Sequence, residues 1–149
     1  MNKIKLEGDL KYIITRNVSG QLNMIISDVK FTFFEFPYNI QPFVNFENYI
    51  KLPTLIDLAA MKAFALGRRS KWKDYVDLYF IIKDHFTIKQ ISQRAEQVFE
   101  QQFSEKLFRS QLSYFKDIDF SEQVKYLVEP VDEELIKNFL IEKAIEIEI

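Results

Sequence analysis

Lys62, Asp74 and Asp77 are charged residues in a stretch that is otherwise built for packing. They stand in the run DLAAMKAFALGRRSKWKDYVDLYFII, Asp57 to Ile82, which is rich in Ala, Leu and Ile. On a first helix, positions 55, 58, 59, 62, 65 and 66 share one face, and Lys62 is its odd member. Such a lysine either snorkels its ammonium to the edge of the apolar stripe or projects into a cleft where it neutralises phosphate. Asp74 and Asp77 are three apart and share a face of a second helix, with Asp84 further along it. Those acids are either the solvent side of that helix, suited to its N-terminal dipole, or one wall of a site. Between the two helices the turn RRSKWK carries Arg68, Arg69, Lys71 and Lys73, which makes it either a solvated loop or a seat for a triphosphate or an RNA backbone.

Composition narrows the chemistry further. The 149 residues contain no cysteine, which excludes disulfides, zinc–thiolate sites and thiol nucleophiles. His85 is the single histidine, so a His-rich metal site is impossible and a Ser/His/Asp triad would have to use it. Carboxylates and lysines remain. The net charge of −2 provides no global basic field, so any nucleic-acid role has to come from a local patch. No stretch approaches the roughly 20 apolar residues that span a bilayer, and MNKIKLEGDLKY has no signal-like apolar core, so a cytoplasmic location without membrane contact is expected. With 15 Phe and 7 Tyr there is ample apolar surface for an ordered core.

Local pattern sets the framework around these side chains. LKYIITR and LNMIISDVKFTFFEF are rich in β-branched and aromatic residues, with NVSG between them, and predict a hairpin with a third strand after a break near Asp28. Pro37 and Pro42 end it, and FPYNIQPFVNFENYI reads as an irregular or short-helical connector. Thr54 with Asp57 opens a helix to about Leu66, where Gly67 stops it, and a second helix runs from about Lys73 to His85. Thr87 with Gln90 forms a capping box for a helix whose Ile88, Ile91, Ala95, Val98 and Phe99 share a face. Ser104 starts another, and Asp132, Glu133 and Glu134 open the last. KDIDFSEQ reads as loop, and VKYLVEP is ambiguous between strand and helix. The class is α+β: a short antiparallel hairpin or sheet remnant and connector over residues 1–50, then a helical bundle over 51–149, packed as one compact unit.

The segment LPTLIDLAAMKAFALGRRSKWKDYVDLYFII, followed at a distance by LSYFKDIDF, closely resembles the AbiEii/AbiGii toxin family of nucleotidyltransferases. These are polymerase-β-like proteins of bacterial toxin–antitoxin and phage abortive-infection systems. The AAMK helix, the Arg-bearing turn and the KDYVDLY helix recur there in the same order, and FTFFEFPY is similar to a strand that precedes them. The likeness runs more loosely from about residue 17 to 140. It implies nucleotidyl transfer from an NTP with Mg²⁺ as cofactor. It also implies catalytic roles for Lys62, Asp74 and Asp77, phosphate contacts for Lys62, Arg68, Arg69 and Lys73, and NTP or RNA and an antitoxin as partners.

Departures from the family pattern carry more weight for activity. The Gly-Ser followed by an Asp-x-Asp pair that holds the metal is missing: none of Gly8, Gly20 and Gly67 is followed by serine and paired acids. Thr32 stands where a third acid is expected. No metal ligand is therefore assigned, and the chain is expected to be the C-terminal portion of such a protein, inactive by itself. The alternative is a non-catalytic module that docks a partner chain or an antitoxin. A sheet without its first strands has an open edge, which predicts pairing with the missing portion or a homodimer.

Overall fold

The computed structural model describes residues 11–40, 44–47 and 49–146. Two compact units divide the chain, one ending at Tyr38 and one beginning at Asn39. The first is an antiparallel sheet of β1 (Tyr12–Val18), β2 (Gln21–Ile26) and β3 (Val29–Phe34), in the order β1-β2-β3. The expected start of the first strand before Lys11 lies outside the described residues, as does Pro42. The break near Asp28 is a two-residue turn: Ile26 pairs with Val29, and Ser27 and Asp28 both take positive φ, 47° and 65°. Positive φ at both central positions gives a turn whose twist suits the flanking strands, and aspartate tolerates it. In β1 the pairing steps from Ile14 to Arg16 against adjacent residues of β2, a bulge at Thr15. Leu22 and Met24 of the central strand are buried, while β1 and β3 are exposed along their length.

The second unit begins with a difference from expectation. Instead of an irregular or short-helical connector, β4 (Val44–Phe46) and β5 (Ile50–Leu52) form a small antiparallel hairpin, with Val44 opposite Leu52 and Phe46 opposite Ile50. Five helices follow: α1 (Leu55–Leu66), α2 (Trp72–Asp84), α3 (Ile88–Phe99), α4 (Glu105–Leu112) and α5 (Glu133–Ile145). The caps are those read from the sequence. Thr54 accepts from the Asp57 amide, Gly67 ends α1, and Thr87 and Gln90 form a reciprocal capping box at α3. Ser104 caps α4, and Asp132 accepts from Glu134 and Leu135 at the start of α5. VKYLVEP is neither strand nor helix. The α+β architecture, a small sheet followed by helices, is the observed one.

Helix α2 is the centre of the helical core. Tyr75, Val76, Leu78, Tyr79, Ile81 and Ile82 are all buried, so the helix is covered on nearly every side. Its neighbours contribute Ala59, Ala63 and Leu66 from α1, Ile88 and Ile91 from α3, Phe108 and Leu112 from α4, and Ile136 and Leu140 from α5. The tightest helix contact joins α1 to α3, where Ala59, Ala60, Ala63 and Ala95 have no bulk to hold the backbones apart. That packing rotates α1 away from the expected face: Leu55 and Leu58 are exposed, while Asp57, Ala60, Ala63 and Phe64 point inward. Among the described residues no helix is long and apolar enough to cross a membrane.

Candidate functional site

Helices α1 and α2 pack as neighbours joined by the short turn after Gly67, and this brings Lys62 to the first turn of α2. The Lys62 ammonium lies 2.8 Å from Asp74 Oδ1 and 2.5 Å from Asp77 Oδ2. Asp74 is fully buried, at 0 % exposure, whereas the Asp77 side chain is 48 % exposed. The reading of both acids as a solvated face therefore fails for Asp74 and holds only for Asp77 and Asp84. A buried carboxylate is tolerable only when its oxygens are satisfied, and here they are. Oδ1 accepts from Lys62, and the Arg69 guanidinium donates through Nε to Oδ2 at 3.0 Å and through Nη2 to Oδ1 at 3.4 Å. Burial disfavours the Lys62 charge, but the hydrogen bonds to Asp74 and Asp77 outweigh it and hold the ammonium above the ordinary lysine value of 10.5.

Donor capacity remains after these bonds are counted. Among the described residues, Lys62 uses two of the three protons of its ammonium, and Arg69 two of the five N–H groups of its guanidinium. The two cations are neighbours, since Lys62 Nζ and Arg69 Nη2 both donate to Asp74 Oδ1. Such a pair of adjacent donors suits a phosphate oxygen cluster.

The other basic residues of the turn go elsewhere. Arg68 lays its guanidinium over the Phe64 ring, 3.5 Å from the centroid, and donates to the Phe64 carbonyl, so it does not join Lys62. Lys73 pairs with Glu122, and Lys71 pairs with Glu122 at 2.5 Å and Asp119 at 3.1 Å. Those contacts hold the Glu122 carboxyl down to about 2, chiefly through the Lys71 and Lys73 hydrogen bonds. The backbone locks the same loop to the turn, with Asp119 N–H donating to the Ser70 carbonyl and Trp72 N–H to that of Asp119. This clip replaces a side-chain cap at the start of α2.

Sequence reasoning missed this clip, and it missed a second buried acid. Asp57 is 2 % exposed and accepts from Thr54 Oγ1 at 2.6 Å and from Arg94 Nε of α3 at 2.7 Å. Burial alone would raise its carboxyl, but those hydrogen bonds prevail and keep it below 3.8. The Ala59, Ala60, Ala63 cluster was the available signal, since small residues mark the side on which another helix comes close. Thr32 lies on exposed β3 opposite Asn23, in the other unit of the chain.

The Mg²⁺ that the resemblance implies does not fit Asp74 and Asp77 as they stand. Both Asp74 oxygens are taken by cations, Lys62 also binds Asp77, and a divalent ion there would face an ammonium and a guanidinium. Among the described residues, no group of three or more His, Asp or Glu side chains converges.

Comparison with known proteins supplies the lineage. An uncharacterised protein of Aquifex aeolicus (strain VF5) is 32 % identical over 110 residues, which covers 72 % of this chain and 46 % of that protein. The chain thus spans about half the length of the curated relative it matches. No solved structure matches it significantly. The model of a family described as the nucleotidyl transferase AbiEii toxin of type IV toxin–antitoxin systems matches residues 26–145, which take in the Lys62 helix, the basic turn, the Asp74 helix and the clipping loop. The chain belongs to the AbiEii nucleotidyl transferase toxin family.

Proposed function

We propose that this chain is the triphosphate-holding part of a toxin-type nucleotidyltransferase and that, by itself, it binds nucleoside triphosphate without transferring a nucleotidyl group. The observation that carries the reading is the Lys62 ammonium fixed next to the Arg69 guanidinium by one buried carboxylate. Paired cations with unused N–H groups are what a polyphosphate needs, and their fixed placement lowers the entropy lost on binding. Transfer needs more. Divalent ions must bridge the attacking and leaving oxygens, and they require free carboxylates. The sequence has no Gly-Ser/Asp-x-Asp motif, and Asp74 is committed to Lys62 and Arg69. In this reading Lys62 and Arg69 hold phosphate, Arg68, Lys71 and Lys73 do not, and an antitoxin is the natural counterpart.

The test is twofold. Purified chain with each labelled NTP, an RNA acceptor and Mg²⁺ or Mn²⁺ is expected to incorporate nothing, while calorimetry detects ATP binding that Lys62→Met weakens by about tenfold or more, the loss of a charge-assisted contact. Robust metal-dependent transfer overturns the inactivity. ATP binding unchanged in Lys62→Met overturns the site.

The sheet favours a second reading alongside the first. β1 and β3 each present an outer edge, with Ile13, Val29 and Phe34 exposed. Among the described residues neither edge has a further strand, and a strand edge without a neighbour recruits another strand, so a second copy of the chain or an antitoxin is captured there by β-augmentation.

A further inference from the structure

Asp74 and Asp77 look equivalent in the sequence, one helical turn apart beside one lysine, but their surroundings differ in kind. Asp74 has 0 % exposure, and its oxygens take three hydrogen bonds from two cations. Asp77 is 48 % exposed and makes one ion pair, through Oδ2 to Lys62. The energetic consequences diverge. Stripping a fully buried carboxylate of its partners leaves a desolvated charge, which costs far more than a surface pair is worth. A half-exposed carboxylate that loses its lysine regains water and forfeits little.

We infer that Asp74 is a permanent positioning residue, which aims Lys62 and Arg69, and that Asp77 is an exchangeable partner whose place on Lys62 is taken by the terminal phosphates of a triphosphate. The inference rests on the proposed phosphate-holding role and adds to it a division of labour between two acids that the resemblance treats alike. Neither carboxylate then acts as a metal ligand. Asp77 keeps the ammonium charged and oriented while the site is empty, and an incoming phosphate oxygen replaces one carboxylate oxygen with another anionic oxygen. Asp74 stays, because Arg69 and Lys62 would repel each other without it.

Inorganic tripolyphosphate is the probe, titrated by calorimetry into the wild-type chain, Asp74→Asn and Asp77→Asn. Charge alone predicts that both substitutions tighten binding, since each removes an anion near an anionic ligand. Separate roles for the two acids predict opposite signs. Asp77→Asn binds about threefold to fivefold more tightly, because a weak competing ion pair is gone. Asp74→Asn binds about tenfold more weakly, because the two cations lose their common anchor. Tighter binding by a folded Asp74→Asn, or weaker binding by Asp77→Asn, overturns the assignment. Near-UV circular dichroism reports whether Asp74→Asn folds. Independently of that variant, the Lys62 ammonium followed by carbon NMR at Cε in Asp77→Asn should still titrate above an ordinary lysine, and a fall to the ordinary value overturns the anchoring role. Absence of tripolyphosphate binding by the wild-type chain would refute the phosphate-holding function, whereas the Lys62 titration would still decide which acid anchors the lysine.

Discussion

Replacing Lys62 with methionine keeps most of the side-chain volume and removes only the charge, so its cost can be worked from the contacts that are lost. Lys62 is 19 % exposed and donates to a fully buried acid. Its loss removes a charge-assisted hydrogen bond to a desolvated carboxylate, worth about 1.5–3 kcal/mol, and a half-exposed pair with Asp77, worth about 0–1 kcal/mol. Arg69 stays on Asp74, so the full cost of about 3–5 kcal/mol typical of a buried charge left alone is not reached. The variant should therefore lose about 2–3 kcal/mol, which for a chain of this size lowers Tm by about 4–12 °C. The pH dependence is a sharper check. The folded Lys62 value is raised above 10.5, so its contribution is complete below the unfolded value of 10.5 and disappears as pH rises through the higher folded value. Urea unfolding of both proteins from pH 7 upward should show a constant gap to about pH 10 that closes only above 10.5. A gap below about 0.5 kcal/mol at pH 7, the range of a neutral surface substitution, would refute the claim that Lys62 satisfies Asp74. So would a gap that closes between about pH 8 and 10.

Arg94→Met strands Asp57 with only Thr54 and should cost about 2 kcal/mol at neutral pH. Because the folded Asp57 carboxyl lies below 3.8, its contribution is present above 3.8 and lost as pH falls through the lower folded value, so acid titration of unfolding should show the wild-type advantage shrinking only below about pH 4. The exposed edges of β1 and β3 predict self-association through the sheet, read by sedimentation equilibrium at rising concentration, with Ile14→Pro removing a ladder donor from β1 and weakening it if β1 is the paired edge. A monomer at all concentrations, with no change in either strand edge on addition of antitoxin, would refute β-augmentation.

Much of the framework was legible because it depends on short-range signals. Thr54, Gly67, Thr87 with Gln90, Ser104 and Asp132 each satisfy backbone groups within three residues, so the helix ends come from local chemistry. The β4–β5 hairpin escaped because three-residue strands are too short to show an alternation, and the aromatic, proline-flanked stretch around them resembles a connector. The burial of Asp74 was hidden for another reason. Periodicity identifies a buried face only when one side of a helix is wet, and α2 has core on nearly every side. The rotation of α1 was decided by close approach to α3 at alanines, a tertiary effect that a count of large apolar residues misreads. The clip by Asp119 and Glu122 joins positions about 50 apart, beyond any local pattern.

That clip bears on which polyanion the site suits. In the sequence, Arg68, Arg69, Lys71 and Lys73 form a concentrated positive turn. In the folded chain Glu122 sits on both lysines, Asp119 on one of them, and Arg68 covers Phe64. Lys62 and Arg69 are the cations held together by one buried carboxylate, and they are balanced by Asp74 and Asp77. An extended RNA backbone gains most of its affinity from a broad field that releases many counterions, and here that field is cancelled on site. A compact triphosphate needs only a few N–H groups, and Lys62 and Arg69 are held side by side on Asp74. On the proposed phosphate-holding role, this balance of charge suits a compact nucleotide better than a nucleic acid, and binding at Lys62 should fall only modestly with added salt, since few charges are left unbalanced to release counterions.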